Sequence, residues 1–225
     1  MPIRSAGSGQ VSGDPVHHPL FARCYAALGT AAESRAGLAD VRERLLAGLS
    51  GRVVEIGAGN GLNFAHYPGA VSEVVAIEPE RRMRQLALEA ALRAETPVDV
   101  VPGVAEALPV KSEAFDAAVV SLVLCSVRDV PRALGELRRV LRPGGELRFL
   151  EHGPGGGRAM RATQRALDRT LWPYLAGGCH LTRDAVGALR DAGFELGPYR
   201  RVSLPEKGPR LPFSYAVLGT ARRPS

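Results

Sequence analysis

The residues best suited to binding a ligand lie in one stretch, where the apolar run from Val53 to Ile56 ends in three alternating glycines. Gly57, Gly59 and Gly61 allow backbone angles that side chains forbid, and they leave room for a ligand against the main chain. An ordinary strand-to-helix turn would explain these glycines equally well when they are considered alone. The glycines alone therefore do not identify a ligand, and acidic residues at suitable positions before and after the loop are needed as well.

The spacing of the glycines and the acid before them favour S-adenosylmethionine (SAM) over a dinucleotide. A Gly-x-Gly-x-x-Gly motif for NAD would place its third glycine where this chain has Leu62, and the glycine comes one residue early at Gly61. Glu55 would be badly placed beside a pyrophosphate, but it suits the cationic amino-acid end of SAM. An NAD-dependent oxidoreductase is therefore the weaker alternative.

A second acid follows the next predicted strand. The β-branched run Val74–Ile77 indicates a buried parallel strand, and Glu78 ends it 21 residues after Gly57. A carboxylate at this place can accept hydrogen bonds from both ribose hydroxyls of an adenosyl ligand. The loop around Ala105 and Glu106 would then reach the adenine ring with its backbone groups.

Two histidines are candidates for a general base, because imidazole titrates near neutral pH. His152 ends the fifth predicted strand and is the first choice, and His180 follows the glycine corner at 177–178 and is the second. Each could instead have a structural role, for example with His152 bonded to Glu151 or to a loop carbonyl. The sequence alone leaves both alternatives open.

The predicted elements that position these residues alternate along the chain, as in an α/β fold. We expect strands at 53–56, 73–78, 98–101, 115–121, 146–152, 198–204 and 214–221. We expect helices at 17–28, 37–49, 63–67, 79–94, 130–142 (capped by Asp129), 158–171 and 183–192 (capped by Thr182). In such a sheet the ligand crevice lies at the carboxyl ends of the strands.

The composition is typical of one soluble domain. Of the 225 residues 45% are hydrophobic and 23% charged, and neither a secretory signal nor an apolar run long enough for a membrane span is visible. The chain has three widely separated cysteines, Cys24, Cys125 and Cys179. This odd number and wide spacing lead us to expect neither a disulfide framework nor a metal site, and a cytoplasmic location. We expect the thiols to be packed in the interior and not to act as nucleophiles.

The positive charge does not indicate a nucleic-acid partner. The net charge is +6, but the arginines are spread along the chain and only 5% of residues are aromatic. The stretch after the fourth predicted strand also lacks the polar-Pro-Pro-aromatic box that amino-methylating enzymes use to stack a flipped base. A solvated arginine-rich surface is the better explanation.

Five segments, in this order, resemble the motifs of class I SAM-dependent methyltransferases: Glu55-x-Gly57-x-Gly59-x-Gly61, Glu78-Pro79, 103–109, Phe115-Asp116 and 141–145. The resemblance implies a Rossmann-like, seven-stranded, mostly parallel sheet with helices on both faces and the last strand antiparallel. It implies SAM as cofactor and S-adenosylhomocysteine (SAH) as product. The cofactor contacts that it implies are Glu55, Gly57, Gly59, Gly61, Asn63, Glu78, Pro79, Ala105, Glu106 and Ser121.

An N-terminal helical pair in such a domain commonly covers the ligand mouth as a lid, although it could also simply pack on the core. We therefore expect one domain over 17–225 after a flexible tail at 1–16, divided into a lid (17–50), a SAM-binding core (51–152) and substrate-side elements (153–225). The candidates for contact with the methyl acceptor are His17, Tyr25, Leu124 and Trp172.

A closer resemblance involves three further segments, 122–127, 150–152 and 178–183. They are similar to the branch that contains mammalian alkyl-thiol methyltransferases, and less closely to quinone-ring C-methyltransferases. This implies in-line transfer of the SAM methyl group to a small apolar acceptor, such as a thiol, phenol or quinol. A homodimer is a further expectation, and a SAM-binding interaction protein without catalysis is the alternative function.

Overall fold

The computed structural model describes residues 38–205 and 209–225, in which strands and helices alternate. The strands are β1 (Gly51–Ile56), β2 (Val71–Ile77), β3 (Val98–Val101), β4 (Phe115–Ser121), β5 (Leu141–His152), β6 (Glu195–Ser203) and β7 (Tyr215–Arg222). The α-helices are α1 (Leu38–Leu46), α2 (Arg81–Ala91), α3 (Val130–Val140), α4 (Arg158–Asp168), α5 (Trp172–Leu175) and α6 (Ala185–Asp191). Short 3-10 helices lie at Phe64–His66 and Pro212–Ser214.

The strands form one seven-stranded sheet in the order β3-β2-β1-β4-β5-β7-β6. The pairs β1–β2, β2–β3, β1–β4 and β4–β5 are parallel, whereas β7 is antiparallel to both β5 and β6. The predicted Rossmann-like class and the antiparallel last strand are therefore confirmed. The strand order reverses between β1 and β4, so the ligand crevice is expected beyond their carboxyl ends.

Helices cover both faces of the sheet because side chains alternate along its strands. Val54 and Ile56 of β1 join one core cluster, which includes Leu137 of α3. Val53 joins the other cluster, which includes Leu45 of α1. Each buried side chain of this size contributes about 1.5–3 kcal/mol of transfer free energy. The packing of helices on both faces therefore holds the carboxyl ends of β1 and β4, beside the expected crevice, in place.

Several predicted boundaries differ from the structure by a few residues. Strands β3 and β4 have their predicted bounds, but α2 is shorter than the predicted 79–94. The predicted helix 158–171 ends at Asp168, and the chain then forms the separate short helix α5. The predicted helix 63–67 is a 3-10 turn at Phe64–His66. Helix ends fray and are weakly specified by local sequence, which explains these differences.

The helix predicted to run up to Pro143 ends instead at Val140, and β5 begins at once with Leu141. Leu141 has extended backbone angles, with φ −71° and ψ 142°. The backbone N–H of Gly144 donates to the carbonyl of Arg223 at 3.0 Å. Pairing with the end of the chain therefore extends the strand through residues that the sequence indicated as a turn.

Asp184 caps α6, so the prediction that Thr182 is the cap is wrong. The Asp184 carboxylate accepts a hydrogen bond from the backbone N–H of Gly187 at 3.0 Å. Thr182 uses its hydroxyl elsewhere, because it donates to Asp168 at 2.7 Å. The hydrogen bond to Asp168 of α4 therefore uses the hydroxyl that the local sequence pattern had assigned to the helix cap.

Only part of the predicted lid is described. The predicted helix 37–49 is observed as α1, whose Val41 and Leu45 are buried against the sheet. The predicted helix 17–28, with His17 and Tyr25, lies outside the described residues, so the lid and the domain limits stay predictions. None of the helices in the described ranges is both long and apolar enough to cross a membrane.

Candidate active site

The glycine loop after β1 has the open backbone that the sequence predicted. Gly57, Gly59 and Gly61 have φ values of +65°, +58° and +79°, in the left-handed region that favours glycine. A Cβ added at Gly61 would lie 2.7 Å from the ring of Phe64, whereas one at Gly59 would meet nothing within 4 Å. Gly59 therefore presents its main chain to open space, as a cradle for a ligand requires.

Glu78, the predicted ribose acceptor, follows β2 and lies against this loop, and its contact with the ribose stays a prediction. Its carboxylate accepts hydrogen bonds from the backbone N–H of Gly59 at 2.7 Å and of Glu80 at 2.9 Å. Burial raises the pKa of Glu78 to about 7, although the backbone donors at Glu80 and Gly59 favour its ionised form. Next to it, the Pro79 carbonyl accepts from the Arg84 guanidinium at 2.9 Å.

Glu55 lies beneath the loop rather than in the open crevice, since it is only 2% exposed. One carboxylate oxygen accepts from the side-chain amide of Asn63 and the other from the hydroxyl of Tyr67, both at 2.7 Å. Burial raises the pKa of Glu55 to about 7, opposed by the bonds to Tyr67 and Asn63 and by the charge of Arg42. The network joins β1 to the 3-10 turn, and a direct contact from Glu55 to SAM stays a prediction.

The network reaches α1 through a residue that the sequence reasoning did not single out. Arg42 donates from Nη1 to the Asn63 side-chain carbonyl at 2.6 Å, and the residue is only 8% exposed. The sequence shows only that Arg42 follows Val41 in this helix, and neither its burial nor its partner can be read from the sequence. The described part of the predicted lid is thus joined to the cofactor loop by buried polar contacts.

The predicted adenine loop contacts the start of α3. The Glu106 carboxylate accepts from the backbone N–H of Arg128 at 3.1 Å, and the Glu106 carbonyl accepts from the Arg132 side chain at 2.9 Å. A surface depression of about 470 Å³ lies beside this loop, but its lining includes neither the glycine loop nor Glu78. We therefore do not assign it to the cofactor. Ala105, the other predicted residue of this loop, packs against the core.

The segment after β4 is held by a buried acid that the sequence reasoning did not assign to the site. Glu151 is fully buried and accepts hydrogen bonds from the backbone N–H groups of Val123 and Leu124 at 2.9 Å and of Cys125 at 3.2 Å. Burial raises its pKa to about 7 against these three donors. The sequence feature that could have identified Glu151 is the presence of an acid within the apolar end of β5. Glu151 therefore positions the start of the 122–127 segment.

The same segment meets the glycine loop. A Cβ at Gly57 would lie 2.6 Å from Val123 Cγ2, so only glycine fits there without movement. Leu122 has a positive φ of 58°, which is uncommon for a leucine. This residue turns the chain sharply after Ser121, which is one of the predicted cofactor contacts. The Leu124 side chain is 1% exposed and belongs to the core. Its contact with the acceptor stays a prediction.

Three side chains from distant parts of the sequence converge beside this wall. His152 Nδ1 and Cys179 Sγ are 3.3 Å apart, and these two atoms and Cys125 Sγ all lie within 4.8 Å of one another. The cysteine spacing predicted no such cluster. Hydrogen bonds from Cys125 and His152 lower the pKa of Cys179 to about 5 despite its burial, and the pKa of Cys125 is raised by its bond to Cys179 and by burial.

The glycine corner brings Cys179 to this place. The backbone N–H of His180 donates to the Cys125 carbonyl at 2.8 Å, and the Arg183 guanidinium donates to the carbonyls of Leu124 and Val127 at 2.6 and 2.7 Å. These bonds attach the corner to the segment after β4. The structure therefore places both predicted bases, His152 and His180, at one end of the sheet.

Trp172, the remaining predicted acceptor contact, lies next to the cluster. It packs against the small group of buried residues formed by Cys125, Cys179 and Leu181. Its ring stacks on Phe213, with 5.3 Å between the ring centroids. An apolar wall therefore stands beside the polar cluster.

Comparison with known proteins identifies the family. A family described as "Methyltransferase domain" matches residues 54–149. The human thiol S-methyltransferase TMT1B is 35% identical over 185 residues, which cover 78% of this chain and 73% of that protein. The chain belongs to the class I SAM-dependent methyltransferases. SAM is therefore its cofactor, a small molecule is its acceptor, and the NAD alternative is set aside.

Two further similarities agree with this methyltransferase assignment. The ubiquinone/menaquinone biosynthesis C-methyltransferase UbiE of Syntrophotalea carbinolica is 34% identical over 144 residues, covering 62% of this chain and 60% of that protein. A SAM-dependent methyltransferase structure from Thermotoga maritima has a TM-score of 0.66 at 24% identity, covering 92% of this chain and 99% of that chain. The structural similarity shows the fold alone.

Proposed function

We propose that this methyltransferase transfers the SAM methyl group to the sulfur of a small apolar thiol. The observation that carries the proposal is the cluster of Cys125, His152 and Cys179, which lies at the carboxyl ends of β4 and β5 near the glycine loop. This is where open α/β sheets bind their ligands. The similarity to the human thiol S-methyltransferase supports the same acceptor.

The proposed reaction balances without an added reagent. The acceptor sulfur loses its proton and attacks the SAM methyl carbon in line, while the bond from that carbon to the sulfonium breaks and its electron pair stays on the sulfur of SAH. Because the sulfonium is already activated, alignment supplies most of the rate gain. His152 is the proposed proton acceptor because its Nδ1 faces the cluster, and His180 is the second candidate.

The chain's own groups would hold the cofactor on the sheet. The glycine loop approaches the ligand with its backbone, and Glu78 accepts from the ribose hydroxyls when it is ionised. The 105–106 loop reaches the adenine, and the Glu55 network supports the amino-acid end. The complete proposed set is Glu55, Gly57, Gly59, Gly61, Asn63, Glu78, Pro79, Ala105, Glu106 and Ser121.

A quinol or phenol acceptor is the second candidate, because the quinone-biosynthesis C-methyltransferase is also similar to this chain. A panel of alkyl thiols, phenols and quinols, scored by SAH release, separates the two. We expect the alkyl thiols to give the highest kcat/KM. Turnover of quinols alone would overturn the thiol proposal, and SAM binding without any SAH release would favour a non-catalytic binding protein.

Other features of the molecule stay predictions. These are the homodimer, the absence of a nucleic-acid partner and the cytoplasmic location. Light scattering coupled to size-exclusion chromatography tests the dimer, because a mass near 23.9 kDa would show a monomer. Retention of labelled RNA or DNA on a filter would contradict the second prediction.

A further inference from the structure

The cluster of Cys125, His152 and Cys179 has the donor set of a transition-metal site. Cys125 comes from the segment after β4, His152 from the end of β5, and Cys179 from the corner after α5, yet their ligand atoms lie within 4.8 Å of one another. Two sulfurs and one imidazole nitrogen are the donors that Zn²⁺ prefers, and the set matches the Cys₂His arrangement of catalytic zinc sites.

The spacing of these atoms fits a shared cation. Zinc bonds of about 2.3 Å to sulfur and 2.0 Å to nitrogen place the ligand atoms of a tetrahedral site roughly 3.5–3.8 Å apart. His152 Nδ1 and Cys179 Sγ are 3.3 Å apart and would move slightly outward, whereas a pair near the 4.8 Å limit of the cluster would move inward by about 1 Å.

The surroundings hold each ligand in the orientation that a metal needs. The backbone of Phe213 hydrogen-bonds the His152 ring, whose Nδ1 faces the sulfurs. Glu151 accepts from the N–H of Cys125, and the N–H of His180 donates to the Cys125 carbonyl. Hydrogen bonds to the ring and to the backbone of a ligand residue are what fixes the orientation of metal ligands in proteins.

The local chemistry would also compensate the charge of a dication. Two thiolates neutralise a 2+ ion, and the imidazole coordinates as a neutral ligand. Leu181 is fully buried in this cluster, and Leu167, Trp172 and Ala176 pack against it, so apolar groups cover one side of the site, while the Ser126 hydroxyl lies 3.6 Å from Cys125 Sγ. Low polarity around the ligands strengthens the attraction between the cation and the thiolates.

We propose that Cys125, His152 and Cys179 bind one thiophilic divalent cation, with Zn²⁺ the best fit, and that its fourth position takes the acceptor sulfur as a thiolate. The first half stands on the cluster itself, whereas the second half rests on the proposed thiol acceptor. With the cation on Nδ1, His152 acts as a ligand instead of the proton acceptor proposed above, and on coordination the thiol proton goes to solvent. The metal-held sulfur then attacks the SAM methyl carbon, and the metal keeps its oxidation state.

Cobalt substitution tests the first half without any substrate. Full-length protein is reduced with a phosphine, stripped with a chelator and titrated with Co²⁺. We expect a sulfur-to-cobalt charge-transfer band that saturates at one ion per chain and is displaced by Zn²⁺. Cys125→Ser, Cys179→Ser and His152→Asn should each weaken binding by at least about tenfold, because even outer contacts of metal sites have effects of that size. His66→Asn, a histidine that pairs with Glu43 outside the cluster, should bind normally.

Alkylation of the wild-type protein provides a second measurement that does not depend on variants folding. Zn²⁺ should protect Cys125 and Cys179 from iodoacetamide, as read by peptide mass spectrometry. Absence of both the cobalt band and the protection would overturn the metal site.

Methyl transfer by the stripped and the zinc-reloaded protein tests the second half. We expect thiol methylation to fall at least tenfold on stripping and to return with one equivalent of Zn²⁺. Metal binding with unchanged thiol methylation would overturn the open-position role and leave the site in place. Metal binding without methylation of any thiol would instead show that the proposed acceptor is wrong, so the two failures are distinguishable.

Discussion

Two buried carboxyl groups at the cofactor loop have a pKa near neutrality. Burial raises the pKa of Glu55 and of Glu78 to about 7, and in each case hydrogen-bond donors only partly offset the loss of hydration. Their roles in the structure differ. Both oxygens of Glu55 are engaged by side chains beneath the loop, whereas those of Glu78 are engaged by backbone N–H groups of the loop and of the segment that follows β2. The two groups therefore make separate pH predictions.

Glu78 should make SAM binding depend on pH. The ribose hydroxyls donate to an ionised carboxylate, so SAM affinity should rise by up to about tenfold per pH unit below 7 and level off above it. Glu78→Gln should flatten this part of the curve, and Glu78→Ala should weaken binding about 10- to 100-fold. Calorimetric titrations from pH 5.5 to 8.5 measure both effects.

The control for that measurement is Glu95→Gln, an exposed acid after α2. It should follow the wild-type curve, including any contribution from titration of SAM itself. Unchanged SAM affinity in Glu78→Ala would remove this residue from the site.

Glu55 should lower the stability of the free protein as the pH rises. Its pKa is raised from 4.5 in the unfolded chain to about 7 in the fold, so the folded state binds the proton more tightly. The stabilisation is complete below pH 4.5 and is lost as the pH rises through 7, with an upper limit of about 3 kcal/mol. Glu55→Gln should reduce this slope, as measured by urea unfolding at pH 5 and pH 8. An identical slope in the variant and the wild type would contradict the prediction.

At the scale of elements, the crevice is formed where β1, β4 and β5 end beside one another. The loop after β1 requires glycine at Gly57, and the segment after β4 requires the Glu151 carboxylate of β5 as a hydrogen-bond acceptor. These requirements are linked, because Val123 of that segment occupies the space next to Gly57. The cofactor loop and the segment after β4 therefore form one packed unit.

Replacing Glu151 should loosen the segment after β4. Glu151→Ala leaves the buried N–H groups that it binds without an acceptor, which should cost about 2–4 kcal/mol of unfolding free energy and reduce SAH production. The matched control is Glu146→Ala on the same strand, where a partly exposed pair with Arg148 is lost and the expected change is below about 1 kcal/mol. Urea unfolding monitors both variants. Equal effects would mean that Glu151 has no special role.

Two glycine substitutions should separate folding from cofactor binding. Gly59→Ala introduces only left-handed strain of about 1–2 kcal/mol, because a Cβ there meets nothing within 4 Å, but it should obstruct SAM. Gly57→Ala adds a clash with Val123 and should lower the unfolding free energy more. Gly59→Ala should therefore lose SAM affinity with little loss of unfolding free energy, whereas Gly57→Ala should lose both, as measured by SAM titrations and unfolding curves. Equal losses of unfolding free energy in the two variants would contradict this prediction.

At the scale of the whole molecule, one sheet carries the methyltransferase core and the elements that complete its acceptor side. Within the segment from α4 to α6, Asp168 binds the backbone of Leu181 and Thr182, and Arg183 attaches this segment to the core through the carbonyls of Leu124 and Val127. The antiparallel strand β7 pairs along β5 up to His152. The C-terminal part of the chain therefore positions the cysteine corner and strengthens the strand that carries His152.

Cofactor binding should stabilise the whole fold. SAM at 100 times its Kd should add about 2.7 kcal/mol to the unfolding free energy, which corresponds to a rise in Tm of roughly 5–10 °C for a domain of this size. SAH should act in the same direction, since it keeps the adenosyl group. NAD is the matched control ligand and should leave Tm unchanged in a thermal-shift measurement. Stabilisation by NAD alone would contradict the cofactor assignment.

Much of the fold could be predicted because its signals are local. The β-branched runs that form β3 and β4 indicate those strands at their observed bounds, and the glycine spacing with Glu78 indicates the cofactor loop. Alternating burial and left-handed turns leave such traces in short stretches of sequence. The order of the motifs then sufficed to identify the class of fold and the cofactor.

The tertiary structure alone decided which distant side chains meet. Cys125 and Cys179 lie 54 positions apart in the sequence, and only the adjacency of β4 and β5 and the docking of the corner bring them to His152. Thr182 had the right residue type for a helix cap, but Asp168 offered it a partner from another helix. Contacts between elements depend on the sheet order and on how loops dock, and periodicity along the chain carries no information about either.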